Sequence, residues 1–523
     1  MAFVYLTAFA DTDVPQVGPN PIIFDQTATT DNLVFLMAGA ANHNSGMTAP
    51  NYGTTKHMWM TNFNDTVNDY FRWNVNLATG ANYHVWALLN SDTAVPLKLS
   101  IAGQTTTLDF TTRAIGWDKL DAGVIHIPAG THVLQLVRNT GIANSIEIKS
   151  LELLRESDKS AYETRVANFK KIPAWFSNAG YGLMLQFGPW GYPPSGPRKS
   201  LQNFADGFDV NRFVTTVQTT GASYVIWSIT WFEYKMMAPI RAVDSIIGTG
   251  GYTSTRDVIG EITTALHNKG IKFFLYYHSG MGQEPAWVAK QNWPANFDVT
   301  GAGDRSTFIN NWSAVIGEMG TRYGTNLDGW FFDDGCTYYP APFERLGAIA
   351  RTGNPNRLIS WNPWVAARFT DFQDVQFGEG YHGEAQFGSS AKGSNGVFTD
   401  GPQKGLTGHG MFFLENDWGI HSANQLINTQ VTLSQLLGWV TNARGYGRPL
   451  SLDFQMWEDQ SYSLTTMNAL VGLKNSTGIP YRTGQGIVSV AKTPYTSRQF
   501  NVKGARLSKK KPGKIAVTVE DLK

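Results

Sequence analysis

Cysteine is nearly missing from this chain of 523 residues: Cys336 stands alone, so no internal disulfide can form and packing must hold the fold. An excess of one charge sign is missing too. Asp and Glu (41) balance Lys and Arg (42), leaving a formal charge of +1 and no long-range field to gather a polyanion, which excludes nucleic acid as the main partner. Charged residues make up 16 %, against about 25 % in an ordinary soluble chain, and point to a neutral or locally recognised partner. No apolar run reaches the ~18–20 residues of a membrane span, so no membrane partner is expected. The ten His are scattered, without H-x-x-x-H, H-E-x-x-H or C-x-x-C spacing, and no metal is expected in catalysis. The G-x-S-x-G elbow of serine hydrolases does not occur.

What the chain has in plenty is aromatic and small residues: 17 Trp, 20 Tyr, 30 Phe and 53 Gly. Most large rings belong in cores. The remainder supply flat surfaces that stack on apolar faces while a polar edge hydrogen-bonds, and a sugar is a natural partner for such surfaces.

The length suggests two to four domains. Up to about residue 155, short alternating runs such as Tyr70-Phe71-Arg72-Trp73-Asn74-Val75-Asn76-Leu77 recur at roughly ten-residue spacing with no convincing helix between them. This segment, 1–155, reads as a β-sandwich of jelly-roll type. From 160 to 480 the period changes. Asp209 is placed to cap a helix through Val210, Phe213, Val214 and Val217 that stops at Gly221, and Val258, Ile259, Ile262, Ala265 and Leu266 recur at helical spacing before Gly270. Eight short apolar strands begin near Tyr181, Ser223, Ile271, Leu327, Arg357, Asp374, Met411 and Pro449. Helices between most of them predict a (β/α)8 TIM-like barrel, and no Gly-rich phosphate loop follows the first strand to favour a doubly wound sheet. Residues 481–523 read as a short β-rich tail with a solvated Lys509-Lys510-Lys511 run.

In such a barrel the reactive groups sit at the C-terminal ends of the strands. Leu327-Asp328-Gly329-Trp330-Phe331-Phe332 ends in Asp333 and Asp334, a costly place for charge unless it is used. Strand alternation lets only one of the two face the barrel mouth. A second acid follows two strands later at Glu379, with His382 and Glu384 just beyond. Glycoside hydrolysis needs such a pair, one carboxyl to attack or activate water and one to protonate the leaving oxygen. Asp333 and Glu379 are therefore the expected catalytic pair, with Asp334 and Glu384 as alternates. Gln186, Trp190, Trp231, Glu233, Tyr277, His278, Trp361, Trp364, His382, Glu415 and Trp418 are expected at the rim to bind substrate.

The stretch WFSNAGYGLMLQFGPWGYPP, beginning at Trp175, resembles the first barrel strand and loop of α-L-fucosidase-like glycoside hydrolases, which read WF…FGxFIHWGxYSVP. Phe208-Asp209 through GASYVIW, Arg256-Asp257-Val258 through KFFLYY, LDGWFFDDG, END-Trp418-Gly419-Ile420 and RPLSLDF follow in the family's order, so the resemblance runs from about Trp175 to Gly478. It implies a retaining mechanism on an α-glycosidic bond, with Asp333 as nucleophile and Glu379 as acid/base. Two departures bear on the sugar. The family's His-Trp after strand one is Gln186-Phe187 here, and its His-His-Asp-Gly-Phe becomes Thr230-Trp231-Phe232-Glu233-Tyr234. The family uses those His on fucose hydroxyls, so a sugar other than simple fucose is expected.

Residues 1–155 resemble the β-sandwich carbohydrate-binding modules that accompany such enzymes. The resemblance implies a structural Ca²⁺ and sugar-stacking rings such as Trp59 or Trp117, with a core role for these two as the alternative. A catalytically dead carbohydrate-binding protein on the same scaffold is the rival reading. The opening MAFVYLTAFA lacks a basic flank. Secretion is nevertheless expected, because sugar-polymer chemistry usually happens outside the cell, with the cytoplasm as the alternative. The sequence leaves oligomeric state open.

Overall fold

A computed structural model of the chain describes residues 33–49, 59–64, 68–139, 144–281, 284–292, 305–333, 338–362, 370–377 and 403–477, with short pieces at 22–23, 51–52, 55–56, 368, 396–399 and 401. All of these fall in one compact unit, Met1–Gly484. The tail expected at 481–523 lies outside the described residues.

The first half forms two β-sheets. One runs β3 (Tyr70–Leu77), β8 (Gly130–Arg138), β5 (Pro96–Ile101) and β6 (Thr107–Thr111). The other runs β7 (Gly116–Ile127), β4 (Ala81–Ser91), β9 (Ile146–Arg155) and β1 (Val34–Met37), with β2 (Met60–Phe63) on β9. These strands pair antiparallel. Alternation does what a half-buried strand requires: Phe71, Trp73, Val75 and Leu77 of β3 point into the core while Arg72 and Asn74 face out. Strand β9 departs from this, being buried on both faces. Ile146, Ile148, Leu151 and Leu153 fill the sandwich, whereas Leu154 joins the barrel's core together with Phe35, Met37 and Leu88.

Trp59, 4 % exposed, lies in that same joint core and meets Trp117 edge-on at 5.3 Å. Trp59 is thus core packing, the alternative named for it, and the half-buried Trp117 packs against the same core.

Eight parallel strands follow: β10 (Tyr181–Leu185), β11 (Tyr224–Thr230), β12 (Lys272–Tyr277), β13 (Gly329–Phe332), β14 (Leu358–Trp361), β15 (Val375–Phe377), β16 (Thr407–Phe413) and β17 (Leu450–Asp453). Each begins within four residues of its expected start. Ladders join them in sequence from β10 to β14 and from β15 through β17 back to β10, a nearly closed TIM-like barrel. The helices obey the signals read above. Asp209 accepts from Arg212 N at 2.9 Å to start Val210–Thr220, and Gly221, at φ +78°, ends it. Asp257 accepts from Gly260 N at 2.8 Å to start Val258–His267.

The open seam between β14 and β15 is bridged by the residues that lead into β15, with Gln373 Oε1 accepting from Trp361 N at 3.1 Å and Asp374 holding Ile359. Asp374 N donates to Ile359 O at 2.8 Å, and its carboxylate accepts from Ile359 N at 2.8 Å. Arg351 pairs with the same carboxylate at 2.6 Å. Among the described residues no helix is long and apolar enough to cross a membrane.

Candidate active site

Inward positions of the barrel fill in layers, with Met184, Tyr224, Ile226, Phe274, Tyr276, Phe331 and Met411 forming one inner cluster. Trp330 and Phe332, the alternate residues of β13, belong instead to the outer core beneath the helices. The period of two carries Asp333 inward, onto the floor of a cleft at the strand ends. Gln186, Trp231, Tyr276, Phe331, Asp333, Asn362, Met411 and Trp418 line that cleft.

Asp333 is oriented from two sides. The Tyr276 hydroxyl donates to Oδ2, and Asn362 Nδ2 donates to Oδ1 at 2.7 Å. Its own N–H donates to Tyr277 O at 3.0 Å and continues the β12 ladder. Donors on both oxygens fix this carboxylate and aim it into the cleft.

The cleft walls come from loops locked by close approach. A Cβ on Gly419 would lie 2.4 Å from Gln186 O and 2.9 Å from the Trp231 ring, so only glycine lets the β16 loop reach the β10 end. Gln186 in turn accepts from the Ser228 hydroxyl. Trp190 is fully buried behind Trp231, edge-on at 6.4 Å, and supports a cleft ring without being one.

Of the residues expected at the rim, the structure thus brings Asp333, Gln186, Trp231 and Trp418 together, and places others elsewhere. Tyr277 is one residue out of phase: it faces the outer core and hydrogen-bonds Tyr234 at 2.7 Å. Trp361 is out of phase in the same way, stacked on Phe332 at 4.5 Å under the helices. Glu233 is bound in ion pairs to Arg198 (2.8 Å) and Lys235 (2.5 Å), beside the cleft and not in it. Those partners overcome its partial burial and hold its carboxyl below the usual range.

His278 is buried, with its backbone N–H bonded to the Thr230 hydroxyl at 3.0 Å, and does not line the cleft. Glu415 lies under the rim, 1 % exposed. Its Oε2 accepts from Gln455 N at 2.6 Å, and burial pushes its pKa up to about 7. Asp453 is fully buried, and burial together with the Glu415 and Asp417 charges raises its pKa well above the usual value.

Asp334, Trp364, Glu379, His382 and Glu384 lie outside the described residues. Sequence reasoning missed Tyr276 and Asn362. The alternation that selects Asp333 also selects both, each being two residues on from an inward neighbour of its own strand.

Among the described residues no group of three or more His, Cys, Asp or Glu is placed to hold a metal. In the sandwich, Asp69 accepts from Asn44 Nδ2 at 3.0 Å and from Asn64 N at 2.9 Å.

An inward, hydrogen-bonded carboxylate at the mouth of a (β/α)8 barrel fits a glycoside hydrolase. Residues 198–375, about a third of the chain, match the model of the family described as Alpha-L-fucosidase. The match takes in β11 to β14 with Tyr276, Asp333 and Asn362, so this barrel is an α-L-fucosidase-like glycoside hydrolase domain. Such catalysis uses no cofactor, and its substrates are glycans.

Several solved structures are similar. One is the α-L-fucosidase AlfC from Lactobacillus casei in complex with its α-L-fucose product (16 % identity, TM-score 0.41, covering 60 % of this chain and 98 % of that one). Another is a bacterial fucosidase with a monovalent iminocyclitol inhibitor (14 %, TM-score 0.42, 58 % and 74 %). A third is an α-L-fucosidase from Bacteroides thetaiotaomicron trapped as a covalent intermediate (15 %, TM-score 0.42, 58 % and 74 %). A search of curated proteins finds no match.

Proposed function

We propose that the protein is a retaining glycosidase that removes a terminal α-linked sugar, other than simple fucose, from an oligo- or polysaccharide outside the cell. The observation that carries this is Asp333, inward at the end of β13 and gripped by Tyr276 and Asn362. Asp333 attacks the anomeric carbon, and the bond to the leaving oxygen breaks as Glu379 protonates that oxygen. Glu379, now ionised, takes a proton from water. The water oxygen then displaces Asp333, and the product keeps its configuration.

Gln186 stands where the fucosidases have the His of their His-Trp, and it is engaged by Ser228, which supports a changed hydroxyl-binding set. The test is hydrolysis of 4-nitrophenyl α-glycosides of L-fucose, D-galactose, L-rhamnose and L-arabinose, with NMR of the first-formed anomer. Release of an α-anomer from one of the other three supports the reading, and preferred hydrolysis of the L-fucoside overturns its sugar. Sugar binding in calorimetry without hydrolysis of any of these, or of mixed plant and bacterial polysaccharides, would favour the non-catalytic binding protein.

A further inference from the structure

Beside the cleft stands an aromatic ring that the packing does not need. Phe232 is 51 % exposed and is the one aromatic among the large apolar residues left exposed in the described part of the chain. One face of its ring is covered by His421, stacked at 4.7 Å and 19°. His421 is itself fixed, its Nε2 lying 3.1 Å from Asp417 Oδ2. The same loop is tied down by Gln425, whose Nε2 donates to Gly419 O at 2.6 Å, and by Gln455, which donates to Asp417 O. Trp231, the next residue, lines the cleft with Asp333 and meets both Phe232 and His421 at 5.7 Å. Phe232 is therefore a flat surface with one side braced and one side open, joined to the cleft wall through Trp231. A ring immobilised before binding loses little entropy when a ligand stacks on it.

We infer that Phe232, braced by His421, is a subsite for the sugar on the leaving-group side of the scissile bond. This deepens the function proposed above and rests on it. Tyr276, Phe331 and Met411 line the cleft with Asp333, and Trp231 of the same lining adjoins Phe232, so a group attached to a sugar seated over Asp333 meets Phe232 where it passes Trp231. A pyranose offers an apolar C–H face to stack on the open side of Phe232.

The experiment compares wild type, Phe232→Ala and Phe232→Tyr on α-L-fucosyl and α-D-galactosyl fluorides, whose leaving group is one atom, and on the matching disaccharides with N-acetylglucosamine. The ratio of kcat/KM for disaccharide over fluoride is expected to fall about threefold to tenfold in Phe232→Ala and to be kept in Phe232→Tyr. An unchanged ratio in Phe232→Ala overturns the subsite. If wild type hydrolyses neither series, the catalytic reading of these sugars fails separately, and saturation-transfer NMR on the disaccharides decides the subsite. Signal on the N-acetylglucosamine ring that is lost in Phe232→Ala supports it; equal signal, or none, overturns it.

Discussion

Asp333 owes its place to two neighbours more than to its own side chain. Removing either donor takes one hydrogen bond from the proposed nucleophile, and a hydrogen bond to a charged group contributes about 1.5–3 kcal/mol. Asn362→Ala and Tyr276→Phe are each expected to lower kcat by about tenfold to a hundredfold with the fold intact, as read by initial rates beside circular dichroism. An effect confined to KM would contradict the positioning role. Gly419→Ala should be equally harmful without touching the chemistry, because its Cβ would push against Gln186 O and the Trp231 ring.

Glu415 gives a prediction of a different kind. Burial raises its pKa from 4.5 to about 7, so between those values the folded state holds a proton that the unfolded chain has released. The stability that Glu415 contributes is full below about pH 4.5 and is lost as pH rises through about 7, by about 3 kcal/mol in all. Glu415→Gln should gain stability relative to wild type at pH 8 but not at pH 4.5, measured by denaturant midpoints; a pH-independent difference would refute this.

The elements show how far the sequence can be read and where it stops. Strand starts, the Asp209 and Asp257 caps and the Gly221 stop were legible because each is local, decided by a few neighbouring residues. Placing Tyr277 and Trp361 at the rim fails because composition marks an aromatic near a strand end, while strand parity decides its face. The ladder that sets Tyr276 beside Phe331, and Tyr277 beside Phe332, separates the two tyrosines. The seam was not legible at all, since it depends on contacts between distant segments.

Lys119 of the sandwich, 3 % exposed at its side chain, reaches Glu152 at 2.7 Å and Asp371 of the barrel at 3.1 Å. Tyr162 donates to the same Asp371 carboxylate at 2.9 Å, and Lys170 donates to the Asp371 and Gln373 carbonyls at 2.5 Å. Burial alone would raise the Asp371 pKa, but Lys119, Arg368 and Lys170 outweigh it and hold the carboxyl well below the usual range. These bonds clamp the segment that enters β15. Lys119→Met leaves two buried carboxylates short of a cation and is expected to cost about 3–5 kcal/mol, seen as a lower unfolding temperature. A change under 1 kcal/mol would show that the clamp does not hold the seam.

At the scale of the whole molecule the sandwich and barrel share one core. Leu33, Phe35, Met37 and Trp59 pack with barrel residues such as Tyr339, which Phe35 meets edge-on at 5.3 Å and whose hydroxyl lies 2.5 Å from Ser150 Oγ and donates to Glu152 at 3.0 Å. A module built only to tether sugar would not need such an interface, so residues 156–523 expressed alone are expected to aggregate. The central claim of the proposed function is that Asp333, at the strand ends, is the nucleophile. The direct measurement is azide rescue of Asp333→Gly on an activated aryl α-glycoside hydrolysed by wild type. Removing the side chain leaves a hole on the face opposite the leaving group, and azide attacking from there expels the aryl oxide. The account predicts that azide restores turnover and yields the β-glycosyl azide; wild-type-like activity of Asp333→Gly without azide, or an α-glycosyl azide, would contradict it.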